Sequence, residues 1–140
     1  MFTAKVFRLM VGSLSGSMEE VYAAKEVVSK WNQRHAKATG KLYLPVEWTT
    51  DPKEVQNIDV VIGIVGNWLS DHAFIQRCVE AGKTVLLFFN AYQDPRNTIQ
   101  SEHDEVKAFR ESIKGCCYCA DYSNIAELRH KLDEKLTALQ

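Results

Sequence analysis

Short apolar runs and helical apolar stripes alternate along this chain from one end to the other. KVFRLMVG, residues 5–12, predicts a first strand, and the small polar run GSLSGS follows it as a loop. Val21, Ala24, Val28 and Trp31 then recur at i, i+3, i+7 and i+10, the apolar stripe of a helix. A capping box, Ser17 with Glu20, marks its start, and RHAKATG with Gly40 marks its end. KLYLPVEW, residues 41–48, is a second strand. Its Pro45 has no N–H to give a neighbour, which sends this strand to an edge of the sheet.

TTDPKEVQN leaves room for one helical turn at most before IDVVIGIVG, whose unbroken apolar run predicts a strand covered on both faces. SDHAFIQRCVEAGK predicts a helix capped by Ser70 or Asp71 and stopped by Gly82, and KTVLLFFN the strand after it. Beyond the polar AYQDPRNTIQ, the segment SEHDEVKAFRESIKG sets Val106, Phe109 and Ile113 on one helix face. CCYCADY is a short fifth strand, and Asn124 with Glu127 caps a final helix striped by Ile125, Leu128, Leu132 and Leu136.

Strands alternating with helices imply right-handed crossovers. The expectation is therefore one α/β domain over residues 1–140, a three-layer flavodoxin-like fold with a five-stranded parallel sheet in the order 2-1-3-4-5 and helices on both faces. In that order the winding reverses between strands one and three, and a ligand crevice is expected at their carboxyl ends. Loops 12–17, 66–71 and 90–93 would reach it.

Composition narrows the function classes. The chain has 140 residues, 46% hydrophobic and 25% charged, enough apolar material for a real core. A net charge of −1 gives no basic field for a nucleic acid or an anionic membrane. VVIGIV and TVLLFF are far shorter than the roughly 20 residues of a membrane helix. The protein is expected in the cytoplasm, with no nucleic-acid or membrane partner. Cys116, Cys117 and Cys119 crowd GCCYCADY; neighbours on a strand face opposite ways, which is poor geometry for a tetrahedral zinc site, so these and Cys78 are expected as buried free thiols and no metal is expected.

The segments GSMEEVYAAKEVVSKWNQRH, LYLPVEW, IDVVIGIVG, EAGKTVLLFFN, VKAFRESIKG and YSNIAELRHKL together resemble a bacterial family of uncharacterised domains related to TIR domains and nucleoside 2-deoxyribosyltransferases. The resemblance runs through nearly the whole chain, in order, and members of the family often stand at the N-terminus of longer proteins. It implies a nucleotide or nucleoside-type ligand. It also implies a Ser-Ser-x-x-Asp loop after the first strand and a Glu-Glu-Arg at the helix start; Gly12, Ser13, Glu19 and Glu20 match, while Gly16 stands at the Asp position and Val21 at the Arg position. The transferases carry a nucleophilic Glu at the start of the helix after the third strand, and Phe74 stands there. Phenylalanine cannot stabilise charge developing at an anomeric carbon, so the resemblance implies a shortened, non-catalytic relative.

The candidate crevice residues are Ser13, Ser15, Ser17, Glu20, Asn67, Trp68, Asp71, Asn90 and Tyr92, with no catalytic residue among them and no cofactor. GSLSGS before a helix could hold a phosphate on free N–H groups and hydroxyls, or be a polar turn with a cap. Glu19 and Glu20 suit the positive end of the helix dipole. Asp71 and His72 are sequence neighbours that do not face one another on a helix, and His103 with Asp104 and Glu105 reads as the acidic first turn of a solvated helix. Trp68 and Tyr92 stand in loops at the strand ends, where they could stack on a base, meet a partner or pack locally. The function expected is a nucleotide-type ligand-binding or protein-interaction module. An enzyme cleaving an N-glycosidic bond of NAD or a nucleoside, with Asp71 or Glu20 replacing the lost Glu, is one alternative, and a ligand-free assembly domain is the other. Self-association as a homodimer is expected from the exposed edge strand and the missing crossover helix.

Overall fold

The computed structural model describes residues 1–16, 18–91 and 99–139. Its elements are β1 (Lys5–Ser13), α1 (Met18–Thr39), β2 (Lys41–Val46), α2 (Pro52–Val55), β3 (Val60–Val65), α3 (His72–Glu80), β4 (Thr84–Asn90), α4 (Gln100–Ile113), β5 (Tyr118–Tyr122) and α5 (Ile125–Ala138). The strands form one parallel sheet in the order β2-β1-β3-β4-β5, as the alternation of patterns predicts.

Side chains alternate across each strand, so the sheet feeds two cores. On one face Leu9, Val11, Ile62, Ile64 and Phe88 meet Val21, Ala24, Val28 and Trp31 of α1 and Leu128, Leu132 and Leu136 of α5. On the other, Met10, Val61, Val65, Leu87 and Phe89 meet Phe74, Ile75 and Cys78 of α3 and Val106, Phe109 and Ile113 of α4. Each of these large side chains contributes roughly 1.5–3 kcal/mol by leaving water. The helix stripes of the sequence are the buried faces. Gly40, at φ +71, ends α1, and the Asn124 side chain accepts the Glu127 N–H at 2.8 Å to cap α5. The Ser17 half of the first capping box lies outside the described residues.

Between β2 and β3 the crossover helix is reduced to the single turn of α2. Asp51 caps it by accepting the Lys53 N–H at 3.0 Å, Pro52 fits its first position, and none of its residues is buried. One turn cannot cover the β1–β2 end of the sheet, and on that face Val6 stays 48% exposed and Leu44 40%.

β2 is an edge strand, as Pro45 predicts, but its edge is closed. The Asn32 amide of α1 donates to the Tyr43 carbonyl at 2.8 Å and accepts the Tyr43 N–H at 3.0 Å. Two residues earlier, the Lys41 N–H goes to Thr39 Oγ1 at 3.2 Å; two residues later, Pro45 has no N–H. The outward backbone donors of β2 are therefore taken or missing, which removes strand pairing as a basis for self-association.

The cysteine run departs from its sequence reading. β5 begins at Tyr118, so Cys116 and Cys117 precede the strand, beside Gly115 at φ +82, and the opposite-faces argument does not apply to them. Cys78 is buried as expected, whereas Cys116 is exposed and Cys117 and Cys119 are half-buried.

Candidate functional site

The point where the winding reverses is stitched together by its own backbone. The Leu14 N–H donates to Ile64 O at 2.8 Å, and the Ser70 N–H and hydroxyl both donate to Leu14 O, at 2.8 and 3.1 Å. Ser15, buried, accepts the Gly66 N–H on its hydroxyl at 2.7 Å and donates that hydroxyl to the Trp68 carbonyl in a short hydrogen bond. The Ser15 N–H goes to Ser13 Oγ at 3.0 Å, and the Met18 N–H to Gly16 O at 3.0 Å. The Leu14, Ser15, Met18, Gly66 and Ser70 amides and the Ser15 and Ser70 hydroxyls thus bond within the protein. Residues 13–16 of GSLSGS form an ordered polar turn.

Gly16 fits this turn for two reasons. Its φ is +71, and a Cβ there would stand 3.3 Å from the Trp68 ring. A side chain at this position would be strained and crowded. Trp68 itself remains 42% exposed over the joint.

The start of α3 is likewise a joint. Asp71 is the N-cap residue but sits in the left-handed region, φ 53 and ψ 21, with no hydrogen bond from its side chain, and Ser70 is committed to Leu14; neither caps the helix as the sequence suggested. Phe74 lies in the sheet-face core, 3% exposed, with its ring edge-on to Trp48 at 5.4 Å. Trp48 in turn covers Gly12, where any side chain would overlap its ring.

Open space is found one strand further along. A cleft of about 500 Å³ lies at the carboxyl ends of β3, β4 and β5 against α4, lined by Gly66, Phe89, Asn90, His103, Lys107 and Arg110, with Asp121 at its side. His103, Lys107 and Arg110 recur at i, i+4 and i+7, one face of α4. Arg110 is held from two sides. Asp121 takes both of its terminal nitrogens, Nη2 at 3.2 Å and Nη1 in a short ion pair, and the guanidinium lies 4.8 Å from the Phe89 ring centroid. The Asp121 hydrogen bond raises the Arg110 pKa above its ordinary value, so the cation is permanent. Lys107 is exposed and has no ion-pair partner among the described residues. His103 is half-buried, not a solvated first-turn residue, and its buried Nδ1 has no hydrogen-bond partner among the described residues.

Of the crevice residues chosen from sequence, Asn90 lines this cleft. Ser13, Ser15, Trp68 and Asp71 belong to the stitched joint or its rim, and Asn67 is half-buried beside Trp68. Glu20 is half-buried in the first turn of α1; its charge, after burial itself, pushes up the pKa of the buried Tyr122 hydroxyl, which has no hydrogen-bond partner among the described residues. Ser17 and Tyr92 lie outside the described residues. Sequence reasoning missed His103, Lys107, Arg110 and Asp121, although the basic i, i+4, i+7 spacing on a helix beside a strand end was a usable signal.

No protein-family profile matches the sequence, and no curated protein matches it. The fold is similar to part of S. aureus homoserine dehydrogenase. The crystal structure at pH 7.0 gives a TM-score of 0.52 at 9% identity, covering 84% of this chain and 32% of that one. The structure at pH 8.5 gives 0.52 at 7% identity, covering 86% and 32%. The chain spans about a third of that enzyme's length, and the likeness is one of fold.

Proposed function

We propose that this chain is a non-catalytic binding module for a small anionic ligand of nucleotide type, held in the cleft between the carboxyl ends of β3–β5 and α4. The observation that carries the reading is the face of α4, where His103, Lys107 and the braced Arg110 line one cavity beside Phe89 and Val106. A nucleotide needs cations for its phosphate and an apolar wall for its base. The cleft volume of about 500 Å³ falls within the usual range of ligand sites, about 300–1,000 Å³. The resemblance to the TIR and deoxyribosyltransferase group supports a nucleoside-type occupant, and Phe74 at the nucleophile position supports binding without glycosidic cleavage.

Calorimetric titration with AMP and with adenosine tests this. AMP is expected to bind and adenosine to bind at least tenfold more weakly, with AMP affinity falling about tenfold in Lys107→Ala. Equal affinity for the two, or an unaffected Lys107→Ala, would refute the phosphate assignment.

We also propose that copies of the chain pair as a homodimer through the sheet face left bare by α2, where Val6 and Leu44 are exposed on neighbouring strands. Light scattering of Leu44→Lys should show a lower mass than the parent at equal concentration. A strictly monomeric parent protein would refute the pairing.

A further inference from the structure

The single turn of α2 leaves a trough of about 420 Å³ against α3, and it shares no lining residue with the β3–β5 cleft. One wall is a stripe that a full crossover helix would have covered, Phe74, Cys78 and Ala81 at i, i+4 and i+7. Val55 of α2, half-buried, lines the other wall. Seven residues of helix rise about 10 Å, so the stripe is long enough for an extended alkyl chain.

Two cations, Arg77 and Lys83, stand on the same trough, and no Asp or Glu is among its described lining residues. Neither cation is needed to close α3. The helix end is closed by backbone: Gly82, at φ +79, gives its N–H to Val79 O at 3.1 Å, the Lys83 N–H goes to Cys78 O at 3.1 Å, and the Ala81 N–H to Arg77 O at 2.9 Å. Lys83 Nζ uses one of its three donors on Gln56 O at 2.9 Å, and Arg77, exposed, has no ion-pair partner among the described residues. Burial raises the Cys78 thiol and the Arg77 and Lys83 charges pull it down, so both cations are felt at one point of the trough wall.

We propose that this trough is a second ligand site, for a free monocarboxylic acid with an alkyl body of medium length. The carboxylate meets Arg77 and Lys83, and the chain lies along Phe74, Cys78 and Ala81 against Val55. Charge complementarity selects the head and the apolar stripe selects the tail. A neutral alcohol leaves both cations without a counter-ion, and a short acid leaves the stripe in water. The volume lies within the usual range of ligand sites, about 300–1,000 Å³. The site stands independently of the nucleotide reading of the cleft.

Calorimetric titration of the full chain with hexanoate, octanoate and octanol tests this. Octanoate is expected to bind saturably and about tenfold more tightly than hexanoate, the factor that two further buried CH₂ groups supply. Octanol is expected to bind at least tenfold more weakly than octanoate, and Arg77→Ala to lower octanoate affinity about tenfold. As a readout that needs no variant, octanoate should shift the amide resonances of Val55, Phe74, Cys78 and Ala81 in the labelled chain and leave Asn90 and Lys107 in place. No saturation at millimolar octanoate, equal affinity for octanol, an unaffected Arg77→Ala, or shifts at the cleft residues instead would overturn the proposal.

Discussion

Asn32 closes the backbone of Tyr43, its amide giving one hydrogen bond to the carbonyl at 2.8 Å and taking one from the N–H at 3.0 Å. A side chain of α1 thus stands where a neighbouring strand would be. Trp31, the residue before it, meets the same tyrosine by an edge-on ring contact at 4.9 Å and donates Nε1 to Thr137 Oγ1, while the Tyr43 hydroxyl reaches Leu136 O at 2.9 Å. The Trp31-Asn32 pair of α1 therefore ties α1, α5 and β2 together. Replacing Asn32 by Ala is expected to cost about 1–3 kcal/mol in urea unfolding. It should also promote aggregation by uncovering the edge. Asn32→Asp keeps the acceptor and loses the donor, and should fall between the two. An Ala variant as stable and as soluble as the parent would contradict this role.

Ser15 is a structural rather than a ligand residue. Ser15→Ala strips a partner from the buried Gly66 N–H and is expected to destabilise the fold by about 1–3 kcal/mol. AMP affinity, measured well below the unfolding transition, should stay within about twofold, because the cations assigned to the phosphate, Lys107 and Arg110, stand on α4 and Ser15 touches neither.

Gly12 has no room for a methyl group. A Cβ there would lie 2.3 Å from the nearest Trp48 ring atom, so Gly12→Ala must push that ring off β1 and disturb its contact with Phe74. The expected cost is about 1–3 kcal/mol, with a shifted tryptophan emission. An unchanged spectrum and stability would contradict the packing described.

The lowered pKa of Cys119 sets the sign of its pH dependence. Its thiolate fraction rises with pH and is half-developed at about 7, where Cys117, Arg110 and Asp121 are the groups acting on it. Alkylation of Cys119 should therefore climb between about pH 6 and 8, whereas an ordinary thiol climbs around 8.5. A profile that matches that of a free cysteine peptide would contradict the lowered pKa.

Periodicity made the fold legible because buried stripes and two-faced strands are statements about water. Val21 to Trp31 on α1, Pro45 at the edge and the apolar run of β3 led to the sheet order without further help. The site was less legible. The stitching of Ser15 to Gly66 and Trp68 joins residues some fifty positions apart, and nothing local in GSLSGS distinguishes hydroxyls that bond the protein from hydroxyls that await a phosphate. The cleft face of α4 was hidden for a related reason. His103, Lys107 and Arg110 are charged residues on an amphipathic helix, and only the parallel placement of β5, with Asp121 reaching Arg110, turns that polar face toward a cavity and away from bulk solvent. The thiols are free as expected, but the burial of the cluster was misread because β5 starts at Tyr118, one residue after Cys117.

The central claim is that an anion of nucleotide type occupies the β3–β5 cleft and not the crevice between β1 and β3. Backbone amide shifts of the isotopically labelled chain, followed by NMR during titration with AMP, test it most directly. The account predicts saturable shifts at Gly66, Asn90, His103, Lys107 and Arg110, abolished in Lys107→Glu. Shifts confined to residues 13–16 and 67–71, or none at millimolar AMP, would contradict it.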